Sequence, residues 1–182
     1  METKKKVNYP DYKDKYDEEI KSKMETSPES VDVEMMRENL YGYTYTKGYA
    51  KGEIPNELSM DYWEEQYLNN SLDENGEVDV MSIINRHTEQ SIQDIYWYLS
   101  PQESLIMQAI DSTGDGKTPE TAFCVIDVHQ EYEFINRSSR FLGFQLVKQS
   151  VANGIDCLEF ENYKGDIEKA YFNISRRFEV GY

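Results

Sequence analysis

A chain of 182 residues can bury one good core but is too short for two large independent domains. Its 35 acidic against 19 basic side chains leave a net charge of −16, which argues against direct binding to nucleic acid or anionic membranes, and no part of the chain is basic enough to override it. Fifteen Tyr, seven Phe and two Trp give an aromatic share of 13%, far more than a disordered chain carries.

The basic start, Met1-Glu2-Thr3-Lys4-Lys5-Lys6, is not followed by an apolar stretch of the kind a signal peptide needs. No run of eighteen apolar residues exists, so no membrane span is expected. The expected location is the cytoplasm, or outside it if a leader has been removed.

In chain order, Tyr12, Tyr16, Ile20 and Met24 recur every four residues and predict an exposed helix over 11–26 with one narrow apolar stripe. Ser27-Pro28 or Ser30 would start a second helix through Val31, Val33, Met35, Met36 and Leu40. Residues 40–49 hold Tyr41, Tyr43, Tyr45 and Tyr49 among glycines; a helix end running into an ordered loop is expected there, with a short strand the alternative. Pro55 precedes another short helix carrying Leu58, Trp63, Tyr67 and Leu68, which gives way to a turn-rich stretch over 69–76. The clearest helical period lies at 78–99, with Val80, Ile84, His87, Ile95 and Tyr98 on one face. Pro101 ends it or opens the next helix, where Leu105, Ile106 and Ile110 lead toward Gly114 as a C-terminal cap.

After Gly116 the period changes to two. Strands are predicted at 122–128, 156–161 and 170–175, with a hairpin turn at 162–166. An amphipathic helix over 130–142, with Tyr132, Ile135 and Leu142 facing inward, links the first two strands. The fold class is therefore α+β: a helical N-terminal half followed by a small antiparallel sheet of about three strands with one crossover helix. One domain over 1–182 is expected, with a helical subregion at 9–112 and an α/β subregion at 117–178.

Asp111 to Lys117 resembles a calcium loop at its start, but Ala122 stands where an EF-hand needs its bidentate Glu and Pro119 at the ninth position. A phosphate loop lacks its first glycine and a preceding strand. Asp115 then belongs to a structural turn, with a weak ligand loop the alternative. His87 lies on an apolar helix face and is expected to pack. His129 and Glu131 follow the first strand, where enzymes often place chemistry, yet spacing supplies no nucleophile. Cys124 and Cys157 read as buried thiols, and with two histidines they offer no zinc spacing. No cofactor, metal site or catalytic set is expected.

Three stretches resemble a known family: Asn39-Leu40-Tyr41-Gly42-Tyr43-Thr44-Tyr45; Gly114 to Phe123 with Val125 and Glu131-Tyr132; and Ala170-Tyr171-Phe172-Asn173-Ile174. The family is the uncharacterised one catalogued as domain of unknown function number 4919. The resemblance implies a bacterial source and supports the helix-then-sheet order. It carries over no activity, cofactor or catalytic residue.

On these grounds the expected function is a non-enzymatic protein-binding module, such as an immunity or inhibitor protein masking a basic toxin. Tyr41, Tyr43, Tyr45, Tyr49, Asp115, His129 and Glu131 are its candidate contact residues. The alternatives are a small hydrolase with a site near His129, gathering Glu131 and Asp115, and an envelope accessory protein.

Overall fold

The computed structural model describes residues 7–72, 75–77, 79 and 100–181. The helix predicted at 78–99, and His87 with it, lies outside the described residues.

The first predicted helix is broken in two. A 3-10 turn at Tyr9–Tyr12 is separated from α1 (Ile20–Thr26) by Asp14, whose φ of 66° takes the backbone into the left-handed region. Tyr12, Ile20 and Met24 still point into the core. α2 (Val33–Tyr43) starts later than Ser27 or Ser30 suggests, because Pro28–Ser30 forms its own 3-10 turn. Asp32 caps α2, accepting a hydrogen bond from the Met35 amide at 2.8 Å. α2 then runs through Tyr43 and is followed by a one-turn helix, α3 (Lys47–Ala50). The tyrosine-rich segment is therefore mostly helical, where an ordered loop is expected.

α4 (Met60–Asn69) is capped by Ser59, and α5 (Pro101–Asp111) by Ser100 in a reciprocal box with Glu103. Pro101 thus opens a helix. The box suits both residues: the Glu103 amide donates to Ser100 Oγ, and the Ser100 amide donates to Glu103 Oε2 at 2.8 Å. Leu105, Ile106 and Ile110 are buried as their spacing predicts.

α5 ends before Gly114, which serves close packing in place of a cap. A Cβ there would stand 2.2 Å from the Thr121 carbonyl oxygen. At Gly116, with φ of 66°, it would strike the Phe123 ring.

Among the described residues the sheet has four strands in the order β1-β4-β3-β2: β1 (Phe123–Cys124), β2 (Gln145–Ala152), β3 (Ile155–Glu161) and β4 (Ile167–Asn173). The α+β class with helices first holds. Two details differ: there are four strands, and β1 pairs with β4 in parallel, so the sheet is mixed. β2 escapes sequence detection because every one of its eight residues is exposed, and an element with no buried face writes no alternating pattern. The turn at 162–166 joins β3 to β4 as expected, with Asn162 Oδ1 accepting from the amides of Lys164 and Asp166. α6 (Val128–Arg137) connects β1 to β2, and α7 (Ser175–Val180) follows β4. α6 is shorter than predicted: Leu142 lies beyond it and is 82% exposed.

The helical half meets the sheet at the stretch that leaves β1. Only Phe123 and Cys124 join the ladder; the Val125 amide still donates to the Asn173 carbonyl, and other backbone groups of 124–126 find partners in side chains. Tyr41 Oη donates to the Cys124 carbonyl at 2.8 Å, Tyr9 Oη to that of Val125 at 3.2 Å, and Tyr49 Oη to that of Ile126 at 2.6 Å. On the other side, the Cys124 amide donates to Thr113 Oγ1 and the Ile126 amide to Gln130 Oε1. Buried backbone groups need such partners. Burial holds the hydroxyls of Tyr9, Tyr41 and Tyr49 above their ordinary range, so they remain protonated donors. Phe123, Phe134 and Phe172 pack ring to ring beneath them.

Candidate functional site

α6 carries the densest polar chemistry among the described residues. Asp127 caps it by accepting from the Gln130 amide at 2.8 Å. A helix places residues four apart on one face, so His129, Glu133 and Arg137 form a single stripe. That stripe lies against α4. His129 Nε2 is 3.3 Å from Asp61 Oδ2 and 3.8 Å from Glu133 Oε1. Glu133 Oε1 accepts from Ser59 Oγ at 3.0 Å and from the Asp61 amide at 2.8 Å, tying α6 to the start of α4. Burial pushes the Glu133 carboxyl above its ordinary value. Arg137 reaches Asp61 Oδ1 at 2.7 Å, Glu64 Oε2 at 2.6 Å and the buried Glu103 Oε1 at 3.0 Å.

A second carboxylate on α6 has the opposite surroundings. Glu131 is fully buried and neither of its oxygens has a hydrogen-bond partner. Asp156 of β3, equally buried, faces it; Asp156 Oδ1 is unpartnered, while its other oxygen accepts from Gln149, which in turn accepts from Tyr132 Oη. Burial, then the charges of Asp156 and Asp127, push the Glu131 carboxyl up to about 8. The shift favours the protonated, uncharged form of Glu131 near neutral pH.

The structure separates the candidate residues inferred from sequence. Tyr41, Tyr43 and Tyr49 are buried, so they hold the fold and present no contact surface. Tyr45 is half-buried beneath the Arg176 guanidinium, 4.1 Å from its ring centroid. Asp115 turns back into its own loop, accepting from the Lys117 amide and from Thr121 Oγ1. His129 faces α4, whereas Glu131 is buried beside Asp156, so His129, Glu131 and Asp115 do not converge on one point. Ser59 supplies no nucleophile for His129, since its hydroxyl caps α4 and donates to Glu133. Cys124 is buried and Cys157 half-buried, and neither forms a disulfide.

Sequence reasoning overlooks Asp61, Glu133, Arg137 and Asp156. The spacing of His129, Glu133 and Arg137 on a predicted helix is a signal that could reveal the stripe. Nothing in the sequence brings Asp61 to it.

Residues 74–181 match the family described as a domain of unknown function, DUF4919. The chain belongs to that family. The matched region runs through α5, α6 and the whole sheet, whereas the Asn39 to Tyr45 stretch and Asp61 lie ahead of it. No curated protein and no solved structure matches the chain.

Proposed function

We propose that this DUF4919 member is a non-enzymatic protein-binding module that engages a basic partner along the outer edge of β2, which pairs with no further strand among the described residues. The observation carrying this reading is β2 itself: an eight-residue strand at the end of the sheet order, exposed throughout. Proteins normally blunt such edges, because unpaired backbone amides and carbonyls recruit another strand. β2 keeps apolar side chains at Leu146, Val147 and Val151 there, each more than a third exposed. An extended segment of a partner can add to such an edge through main-chain hydrogen bonds.

The net charge of −16 favours a cationic partner and speeds its encounter. In its specific form the reading is a bacterial immunity or inhibitor protein that covers a basic toxin. Affinity capture from the native host tests it, with the wild-type chain beside Val147→Lys/Val151→Lys. A basic partner held by wild type, weakened at high salt and lost with the double variant is the expected result. Equal capture by both chains would refute the β2 assignment, and the absence of any specific partner would refute the binding reading.

The hydrolase alternative retains one supporting observation, the approach of His129 to Asp61 and Glu133. It lacks a nucleophile at that point among the described residues.

A further inference from the structure

The stripe on α6 supports a role independent of partner binding. His129, Glu133 and Asp61 each present a metal-ligating atom, and the three atoms lie within 4.8 Å of one another. We propose that these three residues form a binding site for a first-row divalent cation of the zinc class, with an open coordination position toward solvent.

The spacing approaches that of a coordination sphere. Ligands about 2.1 Å from a tetrahedral zinc ion stand about 3.4 Å apart. His129 Nε2 is 3.3 Å from the Asp61 oxygen and 3.8 Å from the Glu133 oxygen. Little movement is needed to seat an ion among them.

The outer contacts are of the kind that orient metal ligands. Arg137 holds Asp61 by Oδ1 and leaves Oδ2 toward the imidazole. Ser59 Oγ and the Asp61 amide both donate to Glu133 Oε1 and hold the carboxylate in place, so a metal is taken by Oε2 or replaces the Ser59 hydroxyl at Oε1. The charge balance also favours a cation. Asp61, Glu64 and Glu103 pair with one guanidinium, Arg137, and the Glu133 carboxylate lies beside His129, so with all four carboxylates ionised and the imidazole neutral these groups have a surplus of three negative charges. A divalent ion reduces that surplus to one.

The imidazole decides the class of metal. Calcium and magnesium take oxygen ligands, whereas a histidine nitrogen beside two carboxylates suits zinc and its first-row neighbours. His129 and Asp61 are 67% and 53% exposed at their side chains, so an ion can enter from solvent and keep water as its remaining ligand.

The test uses the full chain, stripped of metal with a chelator and titrated with Zn2+ by calorimetry. The variants are His129→Asn, Asp61→Asn and, as a control for thiol binding, Cys157→Ser. Co2+ absorption reports on the ligand type. The expected result is one saturable site in wild type, at least about tenfold weaker in His129→Asn and in Asp61→Asn, and unchanged in Cys157→Ser. Its Co2+ spectrum should show ligand-field bands without thiolate charge transfer. Because the His129 side chain is exposed, its replacement leaves the fold intact, and circular dichroism verifies this. The proposal is overturned if wild type has no saturable site, if His129→Asn binds as wild type does, or if Cys157→Ser abolishes binding.

Discussion

The tyrosine-rich segment 41–49 and the strand β2 contrast sharply in their surroundings. The first has the composition of a recognition surface, yet Tyr41, Tyr43 and Tyr49 are buried, and two of their hydroxyls satisfy carbonyls beside β1. The second is compositionally plain, yet all of it faces solvent. An aromatic side chain with a polar tip serves equally well as a surface contact and as a buried donor. Which role it takes depends on whether some backbone nearby has lost its ladder. Here β1 is only two residues long, and the tyrosines stand in for the missing strand.

Substitutions that disturb the inner region should have large effects, and those on the β2 edge almost none on stability. Arg137→Ala is expected to be the most damaging, at about 3–5 kcal/mol in urea unfolding, because it strands the buried Glu103 carboxylate and leaves Asp61 and Glu64 uncompensated. Glu131→Gln should act in the opposite direction. With its carboxyl raised from 4.5 to about 8, the folded state keeps a proton that the unfolded state releases. The contribution of Glu131 to stability is thus fullest below pH 4.5 and falls as pH rises toward about 8, then levels. Glu131→Gln should remove that slope: a carboxyl raised from 4.5 to about 8 costs about 4–5 kcal/mol at pH 8, and with about 1–3 kcal/mol lost to an unpartnered buried amide the net gain is about 2 kcal/mol, measured as a shift in urea midpoint.

Tyr41→Phe and Tyr49→Phe should each cost about 1–2 kcal/mol, since each leaves a buried carbonyl without its donor. Val147→Lys and Val151→Lys, on the exposed edge, should change stability by less than about 0.5 kcal/mol while removing partner capture. A large loss of stability from either valine would erase the distinction between the two regions.

Much of the fold was legible in the sequence, because burial on one face writes a period. The apolar spacing of α5, the alternation of β3 and β4 and the turn between them all follow from that rule. β2 was not legible for the converse reason, and the parallel pairing of β1 with β4 is a tertiary fact that no local pattern encodes. Around α6, His129 and Glu131 could be singled out, but their environments could not. Residues two apart on a helix point in different directions. His129 meets Asp61 across a gap of 68 positions in sequence, and Glu131 meets Asp156. Tyr41, Tyr43 and Tyr49 show the limit from the other side: composition identified them as important without saying that their importance is structural.

The claim that the binding surface is the sheet edge, with the tyrosine segment reserved for the core, is tested most directly by amide hydrogen exchange on the full chain with and without its captured basic partner. The account predicts that those amides of residues 145–152 that point away from β3 exchange readily in the free chain and become protected in the complex, while 41–49 are protected in both. Partner-induced protection confined to 41–49, with 145–152 unchanged, would contradict it.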